Sequence, residues 1–118
     1  MRVGAFAADY LQAQRGRTLL QHEFAQVMNA VDVRITPTSL QPAERFDEFE
    51  PASPLRRSFT RIFNCTGMPA ISICCELTAS GLPLGLQIAG RAFDEAMVLR
   101  VAHTYERHTA WRQKRPFL

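Results

Sequence analysis

One stretch of the chain, Phe59 to Arg91, constrains the fold more than any other. It opens with a short helical pattern that Gly67 ends in a left-handed cap, and Pro69 prevents the helix from continuing. Two runs of alternating apolar and polar residues follow, Ala70 to Leu77 and Leu84 to Ala89. The short, turn-rich connection between them predicts an antiparallel hairpin. We therefore predict a compact α/β unit built around this hairpin.

The segments on either side of this stretch supply the remaining elements. The predicted order is a helix over about Ala7 to Asn29, a strand over Val31 to Thr36, a helix over Leu55 to Thr66, the hairpin, and a last helix over about Asp94 to Thr109. Periodicity of three to four residues marks the helices and a period of two marks the strands. Asp94 is the predicted N-cap of the last helix. The aromatic residues Trp111 and Phe117 predict that the tail packs against the domain.

The same periodicities predict which faces are buried. In the first helix we expect one stripe, apolar except at Arg17, to pack against another part of the protein. In the first strand we expect the face that carries Val31, Val33 and Ile35 to be buried. The predicted stripes are Tyr10, Ala13, Arg17, Leu20, Phe24 and Val27 in the first helix, Met97, Val98, Val101, Ala102 and Tyr105 in the last helix, and Ile71, Ile73, Cys75 and Leu77 in the first hairpin strand.

Length and composition narrow the class of protein. The chain has 118 residues, enough for one domain, and a formal net charge of only +3 with its basic residues spread along the sequence. We expect no nucleic-acid partner, because such binders cluster their positive charge. No apolar run approaches the roughly 20 residues of a membrane span, and we recognise no secretory leader. Three cysteines, two of them adjacent, indicate a reducing compartment, so we expect a cytoplasmic location.

The segment from Leu40 to Pro54 is predicted to be a variable loop rich in proline and acidic residues. Its acidic residues match no calcium-loop spacing and no glycine organises them, so we expect a solvated loop and no metal.

No set of residues in the chain forms a catalytic constellation. None of the serines lies in a G-x-S-x-G turn, and there is no phosphate-binding or dinucleotide fingerprint, so we predict no cofactor. Cys74 and Cys75 lie in the middle of a strand, where cysteine usually acts as a small apolar residue. His103 and His108 are five positions apart and do not share a helical face. We therefore assign no catalytic residue to this chain.

Several motifs, in the same order along the chain, resemble the C-terminal portion of the amidase signature family. These are Ala8 to Ala13, Thr36-Pro37-Thr38, Phe63-Asn64-Cys65-Thr66-Gly67-Met68-Pro69-Ala70-Ile71-Ser72, Gly81-Leu82-Pro83-Leu84-Gly85-Leu86-Gln87, Gly90-Arg91, and Phe93-Asp94-Glu95 at the start of the last helix. The pattern departs from the family at Cys74-Cys75-Glu76, at Cys65, and at Arg34 in the first strand.

The resemblance implies an α/β/α fold with a mixed sheet, of which this chain supplies a short part. It also implies hydrolysis of carboxamide C–N bonds by a serine nucleophile, a bridging cis-serine and a lysine base. Burial depresses the pKa of a lysine and so makes it a base. In the family these residues precede the region seen here, and the one lysine of this chain, Lys114, lies in the tail. The resemblance therefore assigns none of these catalytic residues to a position in this chain.

Two functional hypotheses follow. In the first, residues 1–118 form a single domain that is the C-terminal part of an amidase, completes its sheet and walls its substrate cleft. The helix near that cleft makes Phe59, Thr60, Phe63 and Asn64 candidate pocket residues, although core packing of the two phenylalanines is the alternative. An amide substrate is then bound only by the full enzyme, and membership of a tRNA-dependent amidotransferase is a branch of this hypothesis.

In the second hypothesis, the chain is a non-enzymatic, self-associating module. Both predict a homo-oligomer of the isolated chain, because unpaired edges and apolar surface are left exposed.

Overall fold

The computed structural model describes residues 7–48 and 59–114, and the predicted order of elements is confirmed there. The helices are α1 (Ala7–Met28), α2 (Thr60–Thr66) and α3 (Glu95–His108). The strands are β1 (Val33–Pro37), β2 (Ala70–Leu77) and β3 (Pro83–Gly90), and a short 3-10 helix covers Trp111–Gln113. Residues 49–58, which include the end of the predicted loop and the start of the predicted second helix, lie outside the described residues. Phe117 also lies outside them.

The three strands form one sheet in the order β1-β3-β2, with β3 in the centre. Both pairings are antiparallel, so the predicted hairpin of β2 and β3 is confirmed. The parallel pairing that a mixed sheet requires is not among these described strands. Ile88 of β3 stands opposite Ile35 of β1 and Ile71 of β2, which places three isoleucines in a row on one face.

A tight turn closes the hairpin. The backbone N–H of Gly81 donates to the carbonyl of Thr78 at 2.9 Å, and the Thr78 N–H donates to the carbonyl of Leu82 at 2.8 Å. Gly81 has a φ of +82°, a conformation that glycine adopts without the steric cost of a Cβ. The Ser-Gly sequence therefore determines where the chain reverses.

The predicted alternation of β2 is wrong beyond Cys74. Cys74 pairs with Gly85, but Glu76 pairs with Leu84, so Cys75 is an extra residue in a β-bulge. The Tyr105 hydroxyl of α3 donates to the Cys75 carbonyl at 3.3 Å. A bulge shifts every later side chain to the opposite face, which a count of alternating residues does not reveal.

Helix α3 covers the apolar face of β2 and β3. Its predicted stripe is confirmed: Val98 and Ala102 are buried against Ile73 and Ile88, with Val101 and Tyr105 partly buried around them. The Asp94 side chain caps the helix by accepting from the Met97 N–H at 3.3 Å. Trp111 is half-buried in the 3-10 helix, which contacts β2, so this part of the tail packs as predicted. None of the helices in the described residues has the length and apolar character needed to cross a bilayer.

The predicted burial of α1 is wrong over most of its length. Tyr10 and Val27 are 61% and 46% exposed, and only Met28 of this helix is fully buried. The reason is that α1 packs mainly on α2, through a perpendicular contact of the Phe24 and Phe63 rings at 5.9 Å. Among residues 7–48 and 59–114, most of this helix has no second layer to lie against.

The first strand departs from its prediction in a similar way. Val31 and Ile35, expected to be buried, are 41% and 56% exposed, whereas Val33 is half-buried. Helix α3 lies mainly over β2 and β3, so at β1 it covers Val33 in part and leaves Ile35 exposed. Arg34, on the other face, is half-buried with its guanidinium 4.8 Å from the centre of the Phe24 ring. This cation–π contact offsets part of the cost of burying the charge.

Two glycines are expected to respond to alanine with opposite signs. Gly67 has a φ of +77° at the end of α2, so Gly67→Ala should lower the free energy of unfolding by about 1 kcal/mol. Gly16 lies inside α1 with open space around the position of a Cβ, so Gly16→Ala should raise it by roughly 0.5–1 kcal/mol. Urea denaturation followed by circular dichroism measures both. Two changes of the same sign would contradict the assigned backbone conformations.

Candidate functional site

Thr38, just after β1, connects three strands and the start of α2 at one point. Its backbone N–H donates to the carbonyl of Gly85 in β3 at 2.8 Å, and its carbonyl accepts from the Phe59 N–H at 3.2 Å. Its hydroxyl lies 2.6 Å from the hydroxyl of Ser72 in β2. Every polar group of this residue is therefore bonded to a different segment. We call Thr38, Ser72, Gly85 and Phe59 the Thr38 junction.

Gly85 is required at the junction because the space beside it is taken. A Cβ there would lie 2.6 Å from the Thr38 hydroxyl oxygen and 2.9 Å from that of Ser72. Real Cβ atoms do not approach oxygen so closely, so only glycine allows the two hydroxyls to meet in front of the central strand.

A second pair of polar side chains continues this surface across the sheet. Gln87 of β3 stands between Thr36 of β1 and Ser72 of β2, and its side-chain amide donates to the Thr36 hydroxyl at 3.0 Å. Gln87 is only 3% exposed, so this bond satisfies part of a buried polar group. These residues share the face opposite α3. We call Thr36, Gln87, Ser72 and Thr38 the polar row.

The chemistry of the polar row is limited to hydrogen bonding. It carries neutral hydroxyls and a carboxamide, which donate and accept but do not take a proton at neutral pH. Burial, with smaller effects of Cys74 and Glu76, raises the pKa of the nearby Cys75 thiol, which disfavours the nucleophilic thiolate. In the described part of the chain, no three His, Cys, Asp or Glu side chains are grouped to hold a metal ion.

The four predicted pocket residues all lie on or just before α2, but their surroundings differ. Phe59 is 39% exposed at the Thr38 junction, Thr60 is half-buried and Asn64 is exposed. Phe63 is 4% exposed and packs against Phe24, the arrangement expected of a core residue. Their role in substrate binding stays a prediction.

A cleft of about 340 Å³ opens elsewhere, between α1, the end of α2 and the segment after β3. None of the four predicted residues lines it. Its lining residues are Gln21, Ala25, Met28, Asn29, Thr66, Met68, Arg91 and Ala92.

Arg91 is the residue of this cleft whose role sequence reasoning missed. Its Nε donates to the Met28 carbonyl at the end of α1 at 3.0 Å. One terminal nitrogen donates to the Val31 carbonyl and the Asp32 carboxylate, both at 3.1 Å. The side chain therefore neutralises the end of α1 and positions the entry to β1. The Gly90-Arg91 motif included this residue, but its hydrogen-bond partners lie about 60 positions earlier in the chain, so the motif did not indicate them.

The chain matches the family described as Amidase over residues 2–99. It is 39% identical to the A subunit of glutamyl-tRNA(Gln) amidotransferase from Thermodesulfovibrio yellowstonii, over 100% of this chain and 25% of that protein. It is 42% identical to the protein of the same name from Myxococcus xanthus, over 96% of this chain and 24% of that protein.

Solved structures agree with the sequence matches. The A subunit of glutamyl-tRNA(Gln) amidotransferase from Thermotoga maritima superposes with a TM-score of 0.77 at 31% identity, covering 86% of this chain and 23% of that one. A 6-aminohexanoate cyclic dimer hydrolase superposes with a TM-score of 0.73 at 26% identity, covering 94% of this chain and 26% of that one. The chain thus spans about a quarter of the length of these relatives. The family match, the collinear motifs and the shared fold together establish that this chain belongs to the amidase family, of whose fold it forms one segment.

Proposed function

We propose that this chain acts as the C-terminal part of an amidase, in which it completes the central sheet and forms one wall of the substrate cleft. The observation that supports this most strongly is the convergence of separate motifs on the Thr38 junction. Thr38, Ser72 and Gly85 come from three different family-like motifs, and they meet within hydrogen-bonding distance in the fold. Together with Gln87 and Thr36, these groups make the sheet face opposite α3 polar and hydrogen-bonded.

The chemistry of the residues present indicates which part of an amidase this chain can supply. The polar row offers neutral donors and acceptors suited to a carboxamide or to the polar backbone of a neighbouring segment. A nucleophile and a base are supplied by the rest of the amidase, as the resemblance implies for the serine, cis-serine and lysine. Phe59, Thr60 and Asn64 then approach the substrate from the α2 side, with Phe63 holding α2 on α1 through its ring contact.

A chimaera tests this proposal. The matching quarter of the Myxococcus xanthus A subunit would be replaced by residues 1–118, and hydrolysis of simple carboxamides compared with that of the parent. We expect a folded, active chimaera, whose activity falls in a Thr60→Ala variant and is unchanged in a Leu99→Ala control on the exposed side of α3. A folded chimaera without turnover would reject the proposal.

A second candidate is that the parent is the A subunit of an amidotransferase. The observation in its favour is that relatives at 39–43% identity carry this name, whereas the 6-aminohexanoate cyclic dimer hydrolase is 26% identical. Adding glutamyl-tRNA(Gln) and the remaining subunits of the parent complex to the same chimaera distinguishes an amidotransferase subunit from an amidase that acts alone. Retention of tRNA-dependent activity favours the amidotransferase, and retention of simple amide hydrolysis alone favours an amidase.

We also propose that the chain works in the reducing cytoplasm and associates with itself when isolated. Its three cysteines are all free, and Cys65 is exposed. An exposed free thiol in a chain with two further free thiols is prone to oxidation or mispairing in an oxidising compartment.

A further inference from the structure

The last carbonyl groups of α2 cannot all be satisfied by the backbone that follows them. The helix has seven residues and ends at Gly67, whose N–H donates to the Phe63 carbonyl at 2.8 Å. The Met68 N–H donates to the same carbonyl at 3.2 Å. The last carbonyls of any helix have no partner within it. Because both backbone caps bond to Phe63, the carbonyls of Cys65 and Thr66 need donors from another part of the protein.

Two side chains of α1 supply those donors. The Nε–H of Arg17 donates to the Cys65 carbonyl at 2.7 Å, and the side-chain amide of Gln21 donates to the Thr66 carbonyl at 2.9 Å. Arg17 and Gln21 are four positions apart, so they lie on the same face of α1. The bond from Arg17 is charge-assisted, and a cation is favourable near the carbonyl end of a helix.

This contact explains why a charged residue interrupts the apolar stripe predicted for α1. Phe24 lies seven positions after Arg17 on the same face, and its ring packs against the ring of Phe63. Position 17 therefore meets the polar end of α2, whereas position 24 meets an aromatic side chain. Apolar packing has little directional preference, so by itself it permits α2 to rotate or slide on α1. Hydrogen bonds are directional, and the two from α1 fix the rotation of α2 about its own axis.

The start of α2 is held by the strands. The Phe59 N–H donates to the Thr38 carbonyl at 3.2 Å, at the Thr38 junction. The helix is therefore anchored to the sheet at its beginning and to α1 at its end. Thr60 and Asn64 are four positions apart on α2 and share one face of it. Any rotation of α2 would move both of these side chains together.

We propose that Arg17 is a positioning residue of the amidase. Through its bond to the Cys65 carbonyl it sets the orientation of α2, and thereby the direction from which Thr60 and Asn64 meet a carboxamide substrate. Gln21 supports the same orientation at the next carbonyl. This inference rests on the proposed amidase role, in which α2 borders the substrate cleft. Arg17 acts through the backbone of α2 and not by touching the substrate.

Steady-state kinetics of the chimaera described above, with benzamide as the substrate, test the proposal. Arg17→Met removes the donor but keeps the apolar stem, so KM should rise on the order of tenfold because the binding wall is displaced. A purely structural role of Arg17 would lower the folded fraction, which reduces the apparent kcat and leaves KM unchanged. Arg17→Lys retains a cationic donor on a side chain of similar length and should restore most of the loss.

Arg15→Met is the matched control. Arg15 is exposed like Arg17 but lies two positions earlier, on nearly the opposite face of α1. Its substitution should leave KM unchanged. The proposal would be overturned by an unchanged KM in Arg17→Met, by an equal rise in Arg15→Met, or by an Arg17→Lys variant as defective as Arg17→Met.

Hydrogen exchange of the same folded chimaera distinguishes this inference from the proposed function. Peptides that cover α2 should exchange faster in Arg17→Met than in the unsubstituted chimaera, whereas peptides that cover α3 should not change. A folded chimaera without turnover would reject the proposed function and the positioning role with it. An active chimaera whose Arg17→Met variant keeps both its KM and its slow exchange in α2 would overturn the positioning role alone.

Discussion

Replacing Ile88 with alanine is expected to lower the free energy of unfolding by about 2–5 kcal/mol. Ile88 is 1% exposed at the centre of the middle strand, between Ile35 and Ile71. It also contacts the buried face of α3 in the cluster that contains Val98. Removing its side chain leaves a cavity bordered by a helix and by two strands, which cannot all move inward together. A domain of this size has roughly 5–15 kcal/mol in total, so the loss is a large fraction.

Urea denaturation followed by circular dichroism measures this loss, with Leu99→Ala as the matched control. Leu99 lies on the same helix as Val98 but is 57% exposed, so its truncation should change stability by less than about 0.5 kcal/mol. The experiment should be run at one low protein concentration, because dimerisation would add stability that depends on concentration. Equal losses in the two variants would mean that α3 does not pack on the sheet through the face described.

Gly90→Ala is the second substitution expected to have a large effect. A Cβ at Gly90 would lie 2.5 Å from Cγ2 of Val98, which is buried. Gly90 ends β3, with its N–H donating to the Pro69 carbonyl at 3.0 Å, so its backbone is held in place. The added methyl must push α3 away from the sheet, and we expect a loss of about 1–3 kcal/mol in the free energy of unfolding.

A double-mutant cycle with Val98→Ala identifies the cause. Val98→Ala alone creates a cavity and should cost about 2 kcal/mol. In the double variant the new methyl at position 90 enters that space, so the combined loss should fall short of the sum by about 1 kcal/mol or more. Strictly additive losses would show that the clash lies elsewhere than between these two residues.

The elements of the fold were predictable from the sequence because their signals are local. Gly67 and Pro69 mark the end of α2, the Ser-Gly turn marks the hairpin, and Asp94 marks the start of α3, each within a few residues of the boundary it sets. The buried stripe of α3 was also predicted correctly, because α3 lies on the sheet and its periodic apolar residues therefore have a layer to pack against. The amidase resemblance was readable for the same reason, since its motifs are continuous runs of residues.

The candidate site was only partly predictable. The motifs named Thr38, Ser72 and Gly85, but nothing in their spacing indicated that two hydroxyls meet in front of a glycine. Arg91 was noted as part of a motif, yet its bonds to Met28 and Val31 join segments some 60 residues apart. Whether the predicted pocket residues meet a substrate depends on the rest of an amidase.

By itself, the sequence determined the family, the order of helices and strands, and the hairpin, because each depends on residues close together along the chain. The tertiary structure decided the bulge at Cys75, the convergence on Thr38, and the exposure of α1 and Ile35. Those features depend on which distant segments pack against each other and which have nothing to pack against. A periodic apolar stripe shows that a surface is suited to burial, but only the arrangement of neighbouring layers decides whether this chain buries it.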